Sequence, residues 1–301
     1  MREGPLGRRK RATKTGGILI WKPVGITSRS ALDRAERALD AGPLGHTGTL
    51  DPLAEGLLLL LGGEARKFQA LLTDHTKSYS ALVTFGELSG SDDAEGPLYC
   101  RVPRVSLPTR EAVEGALERF RGGYEQIPPG HSAIHIDGER AYKRVRRGEV
   151  VEMPARSVTI DRLELVSFEG ATCQIEIDCG PGTYVRAIAR DLGEAVGSGA
   201  YLSGLARTRL GGLVAESAIP LEEVTAERWQ SLETLVNGLP RLEVDEPARD
   251  RLALGQRVPH PLPDGVLPGS ALRVVWCEGA VVGLGEMRAG VIQPRRMFAR
   301  S

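Results

Sequence analysis

The sequence predicts an α/β (α+β) fold: a large unit of interleaved strands and helices, then a small β-rich unit at the C-terminal end. Three observations carry this. Short apolar or alternating runs of strand length are interleaved with segments of helical periodicity as far as Asn237. Two alternating segments, Val158–Phe168 and Ala171–Cys179, face each other across Glu169-Gly170 in the pattern of a hairpin. From about Leu242 the character changes to a short helix, a Pro/Gly-rich stretch and strand candidates at Ala271–Cys277, Ala280–Glu286 and Gly290–Arg295.

Composition bounds the function classes. The 301 residues can build one large domain, or a large one and a small one. A hydrophobic content of 41% and a charged content of 26% are ordinary for a soluble globular protein. Lys+Arg and Asp+Glu are both 39, so net charge does not point to nucleic acid and only local clustering can. No apolar run approaches the roughly 20 residues that span a bilayer. The basic residues near the N-terminus precede no apolar segment, so no secretory signal is expected. Cys100, Cys173, Cys179 and Cys277 form no C-x-x-C pair and read as reduced, buried thiols of a cytoplasmic protein.

Residues 1–15, with Arg2, Arg8, Arg9, Lys10, Arg11 and Lys14, read as a basic, disordered tail that could also touch RNA phosphates. A strand at Ile18–Trp21 leads into Lys22-Pro23-Val24-Gly25-Ile26-Thr27-Ser28, a turn in which Thr27 or Ser28 can cap a helix over Arg29–Leu39. Leu57–Leu61, bounded by glycines, reads as a fully buried strand. A helix is expected over Glu64–Leu72, a strand over Tyr79–Phe85, a polar turn over Ser89–Gly96 and an amphipathic helix over Arg110–Phe120. The Pro-rich segment Gln126–Ile134 leads into Tyr142–Gly148, whose Lys143, Arg144, Arg146 and Arg147 suit either an RNA-gripping helix or a solvated face. A turn at Gly180-Pro181-Gly182 precedes a helix over Ala187–Ala195 and places Arg186 at the junction, where a long cation can reach across a cleft.

The most informative stretch is Gly45-His46-Thr47-Gly48-Thr49-Leu50-Asp51-Pro52-Leu53-Ala54-Glu55-Gly56. Its glycines permit backbone angles that other residues avoid, and Pro52 pushes Asp51 toward an extended conformation. The loop therefore presents one carboxylate at a defined place. An Asx-type turn is the plain alternative, and a His46–Asp51 metal pair lacks further ligands at a familiar spacing.

This string resembles the catalytic motif of the bacterial tRNA pseudouridine-55 synthases, the TruB-type family. Lys22-Pro23-x-Gly25-x-Thr27-Ser28 resembles the family's first motif, which packs against the catalytic loop. Trp21 stands where an acidic residue or Asn is usual, and Pro43-Leu44 where a lysine is usual. Gln126-x-Pro128-Pro129-x-x-Ser132-Ala133 resembles a thumb-like insertion, with His131 where an aromatic is usual. Gly182-x-Tyr184-Val185-Arg186 and Tyr201-Leu202-x-x-Leu205-x-Arg207-Thr208-x-x-Gly211 resemble two later motifs.

The resemblance spans residues 16 to about 211, and its implications follow. The fold would be a mixed, mainly antiparallel sheet with helices over residues 16–240, a thumb-like insertion at about 124–152, and a small PUA-like RNA-binding domain over 241–301. Asp51 would be the essential catalytic carboxylate, Arg186 would pair with it and lower its pKa, and Tyr79 would stack on the flipped base and could take the C5 proton. His46, Lys22, Leu202 and the thumb cations Lys143, Arg144, Arg146 and Arg147 would bind substrate, Lys22 chiefly as a buttress. The partner would be the TΨC stem-loop of tRNA, with no membrane, guide RNA or obligatory protein partner. The protein would act as a monomer and use no metal or other cofactor. Whether the reaction passes through an acylal or a glycal stays open. Against this reading stand a guide-RNA-dependent pseudouridylation subunit, a non-catalytic tRNA-binding or folding protein, and a glycosidase with paired carboxylates.

Overall fold

The computed structural model describes residues 11–12, 14–99, 106–132, 134–136, 138–149, 151–261 and 271–299. Cys100 and most of the expected basic tail lie outside them. The large sheet contains β1 (Gly16–Lys22), β2 (Gly45–His46), β3 (Ala54–Gly62), β4 (Lys77–Phe85), β5 (Gly122–Gln126), β6 (Arg156–Glu169), β7 (Thr172–Cys179), β8 (Ala200–Leu210) and β9 (Ile219–Pro220). Its order is β9-β1-β3-β8-β4-β7-β6-β5, with β2 added on β3 and the short strand Leu213–Val214 on β8. The β9/β1 and β3/β8 pairs are parallel and the others antiparallel, so the sheet is mixed and mainly antiparallel. The helices are α1 (Ser28–Ala38), α2 (Gln69–Thr73), α3 (Arg110–Leu117), α4 (Ala141–Arg146), α5 (Val185–Ala195), α6 (Leu232–Val236) and α7 (Glu246–Ala253). A second sheet, β10 (Arg241–Glu243), β11 (Val258–Pro259), β12 (Leu272–Cys277), β13 (Ala280–Arg288) and β14 (Val291–Met297), runs in the order β10-β12-β13-β14-β11. None of the helices among the described residues is long and apolar enough to cross a membrane.

The leucine run is the hinge of the packing. Leu57 to Leu61 are all 0% exposed, because β3 is covered on both faces. Leu58 and Leu60 meet Ala31, Leu32 and Ala35 of α1, whose first turn is capped by Thr27 accepting from Ser30 N at 3.0 Å. Leu57, Leu59 and Leu61 face the other way, toward Phe68, Leu235 and the second sheet's Trp276, Val281 and Leu284. Burial of each leucine contributes about 1.5–3 kcal/mol, so this strand fixes both layers. A third cluster packs α3 and α5 against β4, β7 and β8 through Val113, Leu117, Ile188, Leu192, Val83 and Ile175. Cys173 and Cys179 lie in it, and burial pushes their thiols up to about 12 and about 11, which leaves them inert.

Two elements differ from the sequence reading. The segment expected as one helix over Glu64–Leu72 is a 3-10 turn, Gly63–Phe68, followed by the short α2. Ala65 and Phe68, three residues apart, are both buried, which the tighter three-residue turn allows. The stretch Tyr201–Gly211 carries no strand pattern, yet β8 is a central strand of the sheet. An irregularity between Leu202 and Gly204 breaks its alternation, and Arg207 points inward from it.

Candidate active site

The loop before β3 is held from several sides. Ser28 Oγ accepts from Leu50 N at 2.8 Å and donates to Leu50 O at 3.0 Å, Gly25 N donates to Pro52 O at 2.8 Å, and Thr47 N donates to Leu59 O at 3.0 Å. The first motif thus clasps the backbone on both sides of Asp51. Trp21 contributes an indole donor, Nε1 to Glu55 Oε2 at 3.3 Å. Lys22 is completely buried and donates from Nζ to Pro23 O at 2.8 Å and Ile26 O at 2.7 Å. Burial pulls its ammonium down to about 8, with Asp51 opposing. The expected substrate contact of Lys22 is therefore corrected: this side chain closes its own turn beneath the loop, out of reach of a ligand.

Arg186 enters from the second position of α5. Tyr184, just before the helix, donates from its backbone N to Gln126 Oε1 at 2.8 Å, and Gln126 returns a bond from Nε2 to Tyr184 O at 3.1 Å. This fully buried glutamine locks the start of α5 to β5. The Arg186 side chain is 6% exposed, and its Nε lies 3.0 Å from Asp51 Oδ2 as an ion-pair contact, without the alignment of a good hydrogen bond. Its Nη1 donates to Ser91 O at 3.0 Å and meets Asp93 Oδ2 at 3.3 Å, and its Nη2 donates to His131 O at 3.0 Å. One guanidinium thus joins the motif loop, the turn after β4 and the entry of the thumb-like segment.

Asp93, in the turn read only as polar, was not singled out by the sequence. Its side chain is 2% exposed, and its Oδ1 accepts from Glu95 N at 3.1 Å. Asp51 is more open, with 39% of its side chain exposed. Burial is the largest influence on it and pushes its carboxyl above the ordinary carboxylate range. Arg186 and Lys22 pull it down, and Asp93 adds to the rise. The expectation that Arg186 sets a lowered pKa is corrected accordingly: the arginine limits the rise and does not reverse it.

Tyr79 lies on β4 beside the pair, 7% exposed, with Ile177 of β7 opposite on one side and Arg207 of β8 opposite on the other. Arg207 is fully buried, donating from Nε to Leu57 O at 2.8 Å and from Nη2 to Gly48 O at 3.1 Å. Apart from its place in a motif, no local pattern marks Arg207 in the sequence, because its role depends on strand register. Leu205 lines the cleft, whereas Leu202 is 1% exposed in the core. Because of the irregularity between Leu202 and Gly204, Leu202 pairs with Val83 and Leu205 with Ala81, so both share the face of Tyr79 and only Leu205 is at its open end. The expected place of Leu202 at the site is corrected: it lies in the core, and Leu205 is the leucine of this motif that lines the cleft.

Asp51, Tyr79, Arg186 and Tyr184 open into one cleft of about 1210 Å³ that extends past Arg66 to Leu272 and Arg296 beside the second sheet. This exceeds the roughly 300–1,000 Å³ of a small-molecule pocket and suits an extended ligand. His46 sits on β2, outside the cleft lining, and burial lowers its pKa so that the neutral ring is favoured. On α4, Arg144 donates to Glu149 at 2.8 Å, and just after the helix Arg147 forks onto Glu139 with two bonds of 2.7 Å. The side chains of Lys143 and Arg146 lie outside the described residues.

Comparisons with known proteins place the chain in a family. The family profile described as "TruB family pseudouridylate synthase (N terminal domain)" matches residues 36–185, and "Pseudouridine synthase II TruB, C-terminal" matches residues 240–298. A protein of Cupriavidus metallidurans named tRNA pseudouridine synthase B is 40% identical, covering 94% of this chain and 93% of its own length. One of Pseudomonas fluorescens with the same name is 40% identical, covering 97% and 98%. A chain from a solved H/ACA ribonucleoprotein bound to a substrate RNA containing 2′-deoxyuridine has the same fold. It superposes with a TM-score of 0.73 at 20% identity, covering 95% of this chain and 86% of that one.

Proposed function

The chain belongs to the TruB family of pseudouridylate synthases, and from that premise we propose that it isomerises uridine-55 in the TΨC loop of tRNA to pseudouridine. The observation that carries this reading is the Asp51–Arg186 contact at 3.0 Å, placed beside Tyr79 in a cleft larger than a small-molecule pocket. The near full-length relatives named tRNA pseudouridine synthase B support tRNA as the substrate.

The reaction breaks the C1′–N1 bond, turns the uracil and joins C5 to C1′. Asp51 assists the first step, either by attacking C1′ or by stabilising the charge that develops there. Arg186 keeps that carboxylate ionised and aimed. The target base must leave its stack, at a cost of a few kcal/mol that is offset by packing on Tyr79 and Leu205. Tyr79 then takes the C5 proton. Residues 16–240 form the catalytic domain and 241–301 an RNA-binding domain, with His46 and the thumb cations holding the RNA. The enzyme works in the cytoplasm as a monomer. Asp93 does not make this a paired-carboxylate glycosidase, because it is buried and bound to Arg186.

The likeness to a ribonucleoprotein subunit is one of fold, and the proposal is a stand-alone enzyme. The test is pseudouridine formation by the purified protein on an unmodified tRNA transcript with no other RNA or protein present. Product is expected; product that appears only after a guide RNA is added would overturn it.

A further inference from the structure

We propose that Arg207 is a positioning residue for this reaction: from the strand opposite, it holds the oxygen of Tyr79 in place and supplies the countercharge that oxygen needs in taking the C5 proton. The inference rests on the reading of Tyr79 given above and adds a residue to it.

Four observations carry it. Arg207 and Tyr79 are direct partners in the antiparallel β8/β4 register, so their side chains share one face and interact. Arg207 is 0% exposed, and the group that favours its charge is the Tyr79 hydroxyl, with no carboxylate ion pair to it among the described residues. A buried arginine without a counter-ion is costly, and the phenolate of Tyr79 is the anion the fold offers it. Two of its nitrogens are fixed by Leu57 O and Gly48 O, whereas Nη1, enclosed in the same space, makes no well-aligned hydrogen bond and remains available to a charged oxygen. Finally, the motif loop makes room for it. A Cβ on Gly48, whose φ is +80°, would stand 3.3 Å from Nη1, and one on Gly56, whose φ is +111°, would stand 2.3 Å from the Arg207 carbonyl oxygen.

The surroundings of Tyr79 make Arg207 the decisive charge. Burial pushes the phenol up, and Cys179 from β7 and Asp51 from the loop push the same way; Arg207 is the group that opposes them, and it limits the rise without reversing it. Lys77, at the start of β4, is engaged elsewhere, donating to Thr73 O at 2.8 Å and His75 O at 2.7 Å. Once C5 has bonded to C1′, the C5–H bond breaks. Its proton goes to the Tyr79 oxygen in its phenolate form, and the electron pair restores the C5–C6 double bond. The C6–N1 π pair returns to N1, which takes up a proton from water, and the phenol formed at Tyr79 releases its proton to water, so the sum balances and the tyrosine ends as it began.

The test is single-turnover pseudouridine formation across pH on tRNA carrying uridine or 5-deuterouridine at the target. Arg207→Gln should slow the reaction at least about tenfold and enlarge the isotope effect. Combined with Tyr79→Phe it should add little further loss. Fluorotyrosine at position 79, a more acidic phenol, should recover part of the lost rate and move the pH profile downward. Additive losses, an unchanged isotope effect and no recovery would reduce Arg207 to strand packing and overturn the proposal. If Arg207→Gln does not fold, fluorotyrosine in the otherwise unaltered chain carries the test, since an unshifted pH profile overturns the proposal as well. An unaltered protein that makes no pseudouridine would instead refute the functional reading beneath it, so the two failures are distinguishable.

Discussion

Arg186 meets Asp93 at 3.3 Å through one nitrogen and Asp51 at 3.0 Å through another. The two carboxylates differ sharply in exposure, 2% against 39%, so the arginine has a buried anchor and an open working partner. This asymmetry gives them different places in the proposed reaction, in which Asp93 holds the arginine and the arginine aims Asp51 into the cleft.

Asp93→Asn should therefore impair turnover while sparing RNA binding. Breaking a buried ion pair costs about 3–5 kcal/mol, part of which will appear as a lower melting temperature. Single-turnover rates should fall at least about tenfold, with tRNA affinity nearly unchanged. A variant that melts earlier yet turns over at the normal rate would show that Asp93 serves only the fold.

The pH dependence follows from Asp51. In the proposed reaction Asp51 acts as the carboxylate, and burial raises its pKa, so activity should fall on acidification at a pH above the ordinary aspartate value of about 3.9. Arg186 opposes that rise. Arg186→Met should lower the rate and move the acid limb to higher pH, while the salt dependence of tRNA binding stays the same. An unmoved acid limb with a shallower salt slope would place Arg186 on an RNA phosphate instead.

Neutralising Lys143, Arg144, Arg146 and Arg147 together should weaken tRNA binding in a salt-sensitive way. Removing one cation from an RNA phosphate flattens the dependence of log affinity on log salt by roughly 0.7–0.9. Arg144 and Arg147 already pair with Glu149 and Glu139, so the total change should be smaller than that of four fully engaged cations. A salt titration of both proteins decides it, and identical slopes would remove α4 from the RNA track.

The parts of the site that are written as local backbone chemistry were legible in the sequence. Gly48, Pro52 and Gly56 mark the loop that presents Asp51, the leucine run announces a strand buried on both faces, and Gly182 marks the turn before Arg186. What could not be read depends on register and tertiary closure. Arg207 matters because β8 aligns it with Tyr79, and an irregularity in that strand hid both the strand and the choice of Leu205 over Leu202. Asp93 sits in a turn whose composition suggests solvent, and becomes buried only when α5 brings Arg186 onto it. The sequence reads Lys22 chiefly as a buttress among the substrate-binding residues, and its complete burial requires the turn to fold around its own ammonium.

The central claim is that Asp51 makes this chain a uridine-55 pseudouridine synthase. The direct measurement is to map pseudouridine in unmodified tRNA after incubation with the purified protein, and with Asp51→Asn, confirming that both bind the tRNA equally. The unaltered protein should convert position 55 alone, and Asp51→Asn should give less than about a hundredth of that rate, in line with the loss of a reacting carboxylate. Conversion at another position instead of 55, or an Asp51→Asn protein that retains a tenth or so of the normal rate, would contradict the account.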